Sequence, residues 1–159
     1  MTDKIECGGL IRREDLCLLE ILGYDLKACG KFDILDLFGD AKIPISYLAV
    51  SNGADGLRNM SLCVPLEHLY QLRNLREGIQ KGCAPQRLKT VENTMVLTIY
   101  GPHFYEKASI AGVVYGALRR EEIYTHSINS SVNSISFVIN ADDCQRTIRC
   151  LKTRISWPE

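Results

Sequence analysis

Hydrophobic and polar positions between residues 127 and 151 predict a strand, a short polar connection, a second strand and a helix in direct succession. Residues 134–139 alternate polar and apolar before ending in an apolar pair, which is typical of a strand with one face on a core. Asn140 follows as the predicted N-cap, and Asp142 and Asp143 fall in the first helical turn, where carboxylates interact favourably with the helix dipole. The buried side of this helix is predicted to carry Ala141, Cys144, Ile148 and Leu151.

The rest of the chain repeats one order of elements twice. An apolar piece, 8–11, is followed by a charged turn, 12–15. The first copy is then predicted to have a strand at 16–23, a helix at 32–41, strands at 45–51 and 60–64, a helix at 65–79 and one more strand at 87–92. The second copy has a strand at 95–100, a helix at 110–118, strands at 124–128 and 134–139, and the helix from 142. This internal duplication, with strand–helix crossovers on mostly antiparallel sheets, predicts an α+β fold.

Composition and charge limit the classes of partner. The chain has 159 residues, of which 46% are hydrophobic, enough for one ordinary core or two small ones. Its 19 basic and 19 acidic residues cancel, so the electrostatic footprint of a nucleic-acid or anionic-membrane binder is absent. No apolar run approaches the roughly 20 residues that a transmembrane helix needs. The charged start has no signal-peptide core, and we therefore expect a cytoplasmic location without membrane association.

Reactive side chains are numerous but scattered. Seven cysteines occur without a Cys-x-x-Cys pair, which favours small buried hydrophobes in a reducing compartment over a metal or disulfide framework. His68, His103 and His126 form no cluster with ligand spacing. A P-loop, a dinucleotide-binding fingerprint and a nucleophile elbow are absent from the sequence. We expect no metal, no cofactor and no catalytic activity.

One segment carries a family resemblance. Ser-Ser-x-x-Ser-Ile-Ser-Phe-Val at 130–138, followed by Asn-Ala-Asp-Asp at 140–143, resembles the last ACT domain of aspartate kinases, small modules that bind free amino acids. Residues 9–23 are similar to the segment that enters the regulatory half of those enzymes, and 101–118 to the loop and helix of their second ACT domain. The resemblance covers nearly the whole chain. It implies two ferredoxin-like βαββαβ ACT domains, each an antiparallel sheet with helices on one face.

The resemblance also implies how the domains are arranged. In that family the first ACT domain is inserted within the second, whose outer strand comes from upstream. Here this places the first domain at 13–92 and the second at 1–12 plus 93–159, with Leu10 and Ile11 pairing with the second sheet. The Lys-Phe-Gly-Gly start of the kinase domain is missing, so no kinase domain is expected.

A strand running into a helix N-terminus leaves backbone N–H groups that can hold the carboxylate of a free amino acid. The resemblance places this pocket at ACT-domain interfaces. The positions that correspond to the family's loop, strand and strand-entry residues, though several carry a different residue type, are Asp25, Lys27, Cys29, Gly30, Val50, Ser51, Lys107, Ser109, Glu122 and Ile123. Each polar residue among them also has a purely structural interpretation, as a solvated loop, a helix cap or an exposed surface.

Three hypotheses follow for the function. The first is a non-catalytic regulatory protein that binds an amino acid or similar small metabolite, with a homodimer formed through open sheet edges. The second is an interaction module without a ligand, docking on an amino-acid kinase or another metabolic enzyme as a regulatory subunit. The third, a small enzyme, requires titratable groups that converge in a pocket.

Overall fold

The structure, a computed structural model, describes residues 4–102, 104, 106 and 110–158. Its strands are β1 (Ile5–Glu6), β2 (Gly9–Tyr24), β3 (Tyr47–Asn52), β4 (Arg58–Pro65), β5 (Arg87–Tyr100), β6 (Thr125–Ser130), β7 (Ser134–Asn140) and β8 (Ile155–Ser156). Its α-helices are α1 (Leu26–Cys29), α2 (Ile34–Asp40), α3 (Leu69–Cys83), α4 (Ile110–Arg120) and α5 (Cys144–Lys152). Short 3₁₀ turns lie at Ala54–Gly56, Leu66–His68 and Ala141–Asp143. The chain divides into two compact units, residues 15–93, called here the inserted unit, and residues 1–14 with 94–159, called the split unit.

The inserted unit is a sheet with the strand order β3, β4, β2, β5 and helices α1 to α3. Strand β4 is antiparallel to both β2 and β3. Alternate strand residues join residues at helical spacing in one core, which includes Leu19, Ile21, Leu62, Phe38, Leu72 and Ile79. Because these side chains come from one face of the strands and the inner faces of α2 and α3, the helices cover that face.

The split unit repeats this layout, with the strand order β2, β5, β7, β6 and helices α4 and α5. Its fourth strand comes from the first residues of the chain, and Gly8 donates a backbone hydrogen bond to Tyr100 over 2.7 Å. Its core combines one face of β5 and β7 with both helices and includes Met95, Leu97, Ile99, Ile135, Phe137, Val114, Leu118 and Leu151. A small parallel pair, β1 with β8, lies in the same unit.

Both units contain the succession strand, helix, strand, strand, helix, completed by a fourth strand beside the first; this strand is β5 in the inserted unit and the upstream β2 in the split unit. This is the ferredoxin-like βαββαβ order, so the predicted α+β fold class is confirmed. Strand β2, which contains Leu10 and Ile11, lies beside β5; the pairing of these two residues with the second sheet stays a prediction. The duplication is therefore a property of the three-dimensional structure as well as of the sequence pattern.

Two predicted interruptions do not interrupt the chain. The charged residues 12–15 were predicted as a turn, but they lie inside the continuous strand β2. Likewise, the two strands predicted at 87–92 and 95–100 are one strand, β5. The reason is local, because Asp15 and Asn93 each adopt a left-handed backbone, with φ of 52° and 56°. Such a residue changes the course of a strand without reversing it.

The predicted N-cap at Asn140 is also wrong in detail. Asn140 precedes a 3₁₀ turn and makes no side-chain capping bond, and α5 begins only at Cys144. The Asn140 side chain is engaged elsewhere, since its Oδ1 lies 2.8 Å from His126 Nε2. A cross-strand partner therefore takes the group that would otherwise cap the helix.

The cysteines differ from the prediction at one pair. Cys29 and Cys83 form a disulfide, although their positions are 54 residues apart in the sequence. Five cysteines are buried and form no disulfide: Cys7, Cys17, Cys63, Cys144 and Cys150. The prediction of small buried hydrophobes is correct for these five and wrong for the bonded pair.

Burial of Cys63 predicts a loss of stability in alkali. Burial raises the pKa of the Cys63 thiol to about 12. An unfolded chain releases this proton near the ordinary value of 9.0, so the folded state binds more protons between the two values and stability is lost as pH rises. We expect Cys63 to lower the free energy of unfolding by up to about 1.4 kcal/mol per pH unit between pH 9 and 12, the limiting slope for one group.

Urea unfolding at a series of pH values measures this slope, and Cys63→Ala is the matched variant. The variant should be less stable at neutral pH, because it leaves a cavity, but its stability should decline less steeply in alkali. Equal slopes in both proteins would contradict the assignment of the proton uptake to this thiol.

Candidate functional site

The first predicted corner lies where β2 runs into α1 in the inserted unit. Asp25 caps this helix, and its Oδ1 accepts a hydrogen bond from the backbone N–H of Lys27 over 2.9 Å. Gly30, with φ of 59°, ends the helix after only four residues. At the start of α2, Asp33 Oδ1 accepts from the Leu35 N–H over 2.8 Å. The protein's own carboxylates thus occupy N–H donors that the sequence interpretation assigned to a ligand.

A pocket of about 190 Å³ lies beside this corner. It is mostly apolar, and its walls are Tyr24, Leu26, Cys29, Phe32, Asp33, Ile34, Leu35, Met60 and Cys83. Burial raises the pKa of the Tyr24 hydroxyl; the nearby Arg58 opposes the shift and Asp33 adds to it. A neutral phenol and an apolar wall suit an uncharged group more than a zwitterion.

The second predicted strand entry lies at the end of α4 in the split unit. The Ile123 N–H bonds to the Leu118 carbonyl and the Glu122 N–H to the Arg119 carbonyl, over 3.0 and 3.1 Å. These two bonds form a Schellman motif with Glu122 at the left-handed position, where φ is 52°. Lys42 ends α2 in the same way, with φ of 54°. Left-handed helix ends at residues other than glycine are therefore a repeated device of this chain.

A second pocket, of about 300 Å³, opens at this helix end and is called here the α4 pocket. It is lined by Tyr115, Arg119, Glu122, Ile123, Tyr124 and Thr125. It combines one cation, one carboxylate, two phenol rings and a hydroxyl. Such a set can hold a small molecule that carries both a carboxylate and an ammonium group, because the guanidinium donates to the first and the carboxylate accepts from the second.

A bulge in β6 directly follows one wall of the α4 pocket. The β6–β7 register shifts between Thr125 and Ser127, so His126 is the extra residue. The rings of Tyr124 and His126 pack edge to face with centroids 4.9 Å apart. His126 Nε2 is held by Asn140, while its buried Nδ1 has no hydrogen-bond partner among the described residues. The bulged His126 thus contacts Tyr124, a residue of the pocket wall, and is itself held by Asn140.

Comparison with known proteins relates the chain to aspartate kinases and their regulatory subunits. No family model matches the chain. It is 23% identical over 126 residues to an aspartokinase of Saccharomyces cerevisiae, and the match spans 78% of this chain and 22% of that protein. The regulatory subunit of aspartate kinase from Thermus thermophilus, solved in a ligand-free form, superposes with a TM-score of 0.80 at 11% identity, covering 94% of this chain and 99% of that one.

A chain in a structure of aspartokinase alpha and beta subunits gives a TM-score of 0.79 at 17% identity, over 93% of this chain and 97% of that one. The chain has the fold of aspartate kinase regulatory domains. The resemblance drawn from the sequence is thus confirmed at the level of the fold. The chain spans about a fifth of the yeast enzyme that it matches, and nearly all of the Thermus regulatory subunit.

Within this aspartate kinase regulatory fold, the predicted site residues fall in separate places. Cys29 lines the pocket of the inserted unit, whereas Asp25, Lys27 and Gly30 build the adjacent turn. Val50 and Ser51 lie on the edge strand β3, where Val50 is 51% exposed. Glu122 and Ile123 line the α4 pocket. Lys107 and Ser109 lie outside the described residues.

Sequence reasoning missed four residues of the α4 pocket: Tyr115, Arg119, Tyr124 and Thr125. A signal for two of them exists, because Tyr115 and Arg119 are four residues apart and share the face of α4 that leads to Glu122. In the described part of the chain no group of three His, Cys, Asp or Glu side chains is placed to hold a metal. No helix there has the length and apolar character to cross a membrane.

Proposed function

We propose that the protein is a cytoplasmic, non-catalytic regulatory protein that binds a free amino acid or a similar small zwitterion in the α4 pocket. The observation that carries this proposal is the presence of Arg119 and Glu122, groups of opposite charge, on the walls of one pocket. The fold supports the regulatory role, since the Thermus protein with the same fold is a regulatory subunit of aspartate kinase. That subunit was solved in a ligand-free form, which is consistent with ligand binding by this fold.

The α4 pocket assigns each end of the ligand to one side chain. Arg119 would hold the carboxylate with two parallel hydrogen bonds, and Glu122 would accept from the ammonium group. The Tyr115 and Tyr124 rings, both more than half exposed, would contact the ligand side chain. Water and salt in an open pocket screen such ion pairs. We therefore propose that a second copy of the chain closes the α4 pocket at an ACT-domain interface.

A homodimer is consistent with the two edge strands. Strands β3 and β6 each end the strand order of their unit and present exposed apolar side chains, including Leu48, Val50 and Ile128. Pairing with a second copy would cover these edges. The ligand would then regulate by binding one dimer geometry more tightly than another. Light scattering after size exclusion, with and without ligand, measures this state.

The rival function is a docking module that binds an amino-acid kinase or another metabolic enzyme without a ligand of its own. The capping of the first corner by Asp25 and Asp33 favours this rival, because it removes donors that a ligand would need. The similarity to a chain in a structure of aspartokinase alpha and beta subunits supports an enzyme partner. The two functions differ in what they predict for isolated protein.

Thermal unfolding of the purified chain against each of the twenty amino acids separates the two functions. A ligand that binds the native state at about 100 times its Kd adds about 2.7 kcal/mol of stability and raises the midpoint by several degrees. A rise with one or a few amino acids supports sensing. A flat response across the panel, together with a stable complex formed with a purified amino-acid kinase, would support docking instead.

The variant Glu122→Gly tests whether the α4 pocket is the site, with Lys42→Gly as its matched control. Both replace a left-handed residue at a helix end by glycine, and both should raise stability by about 0.5–1 kcal/mol. Only Glu122→Gly removes a pocket carboxylate, so we expect it to weaken ligand binding about tenfold or more, as loss of a charged hydrogen bond does. Titration calorimetry measures the affinity. Equal affinities in both variants would place the ligand elsewhere.

A further inference from the structure

The disulfide of the inserted unit connects the ends of two helices, α1 and α3. Cys29 is the last residue of α1, and Cys83 is the last residue of α3. Both line the pocket of about 190 Å³ beside the first corner. The bond therefore forms part of the pocket wall, and its state determines whether α1 is tied covalently to α3.

Helix α1 depends on that tie. It has four residues, far fewer than the 12–15 or so that an isolated helix needs, and Leu26, Lys27 and Ala28 are exposed. It is also anchored by the Asp25 cap and by the Phe32 ring, which packs against the core and against α3 at Gly82. Loss of the disulfide would leave this short helix on side-chain anchors, and short, exposed segments of this kind are the ones that open locally.

We propose that Cys29 and Cys83 form a reversible redox site, whose reduction releases segment 25–32 from α3 and opens this pocket. The ligand class is a dithiol reductant. Because Cys29 and Cys83 are 8% and 2% exposed, the sulfurs are reached through the pocket itself. The proposal concerns the inserted unit alone and stands whether or not the α4 pocket binds an amino acid.

The other five cysteines do not compete for this chemistry. All of them are buried and form no disulfide. Burial raises the pKa of Cys17 to about 11 and of Cys63 to about 12, so both remain protonated thiols at neutral pH. Since the thiolate is the reactive form in thiol–disulfide exchange, these residues are poor nucleophiles. Exchange at Cys17 and Cys63 is therefore disfavoured relative to exchange at the bonded pair.

Reduction of the Cys29–Cys83 bond takes two thiol–disulfide exchange steps. A thiolate of the dithiol attacks one sulfur of the protein disulfide, a mixed disulfide forms, and the released cysteine thiolate takes a proton. The second thiol of the reductant then attacks the mixed disulfide, releasing the other cysteine as a thiol and closing the reductant into its own disulfide. Two electrons and two protons have moved from the reductant to the protein.

Limited trypsin digestion of the intact chain tests the proposal, because Lys27 and Lys31 lie in the segment and both are exposed. The oxidised protein is compared with protein reduced by dithiothreitol under native conditions, and the gain of two hydrogens by mass confirms reduction. We expect cleavage after Lys27 and Lys31 to be about tenfold faster in the reduced protein, as local opening becomes easier. Cleavage after Arg119 and Arg120, in the split unit, should not change.

The variant Cys83→Ser provides the control, since it should be cleaved at the reduced rate in either buffer. Should this variant fail to fold, the comparison of the two redox states of the native sequence still decides the question. The proposal is overturned if the two thiols remain unbonded in oxidant, if the bond is reduced only after unfolding, or if both states are cleaved at one rate.

Discussion

Replacing Phe137 by alanine should lower the free energy of unfolding by about 3–5 kcal/mol, the range found for buried aromatic residues. Phe137 lies in the middle of β7 and has an exposure of 0%. It faces Leu97 on β5 and Ile128 on β6 across the sheet. Its ring also belongs to the core that α4 and α5 share, so its removal leaves a cavity between sheet and helices. The substitution therefore removes contacts from both the sheet and the helices α4 and α5.

Urea unfolding followed by circular dichroism measures this loss, and Val132→Ala is the control. Val132 is a large apolar residue only five positions away, but it is 67% exposed, so its truncation should change stability by less than about 0.5 kcal/mol. A loss below about 1 kcal/mol for Phe137→Ala would mean that the helices do not pack on this face of the sheet.

The fold could be predicted because its signals are local and repeated. Ser134 to Ile139 alternate polar and apolar, and Phe137 and Ile139 indeed face the core while Ser136 lies on the other side. The apolar spacing along α4 and α5 gives their buried faces in the same way. Each signal depends on a few neighbours in the sequence, and the duplication supplies each of them twice.

Long-range pairings are what the sequence did not reveal. The Cys29–Cys83 bond joins residues separated by a helix, two strands and a second helix, and no short spacing marks it. The continuity of β2 through Arg12, Arg13 and Glu14 was missed for a related reason. A run of charges is typical of a turn, but it is equally compatible with a strand whose side chains are exposed on both faces.

The candidate site was predictable only in part. Glu122 was named from the resemblance, whereas the spacing of Arg119 from Tyr115 marks a shared helix face but does not mark a ligand site. Arg119 becomes part of a pocket through the geometry at the end of α4. The left-handed turn at Glu122 brings the strand entry back beside the last helical turn, where Arg119 lies. That geometry depends on one backbone angle at a residue other than glycine.

The second large effect is expected at Gly82, which should not tolerate a methyl group. A Cβ there would lie 2.7 Å from three atoms of the Phe32 ring, closer than real Cβ contacts. The ring cannot yield freely, because it packs against the core of the inserted unit and lines its pocket. Gly82→Ala should therefore lower the free energy of unfolding by about 1–3 kcal/mol, the usual cost of overpacking.

Gly78 lies one turn earlier in α3 and provides a matched control, since its Cβ would meet only Leu37 at an ordinary 3.7 Å. Gly78→Ala should raise stability by about 0.5–1 kcal/mol, because alanine restricts the unfolded chain and favours the helix. Opposite signs from one substitution at two positions of one helix would place Phe32 against Gly82. If both variants gain stability, Phe32 is not packed there, and segment 25–32 must be held to α3 by the disulfide without help from the ring.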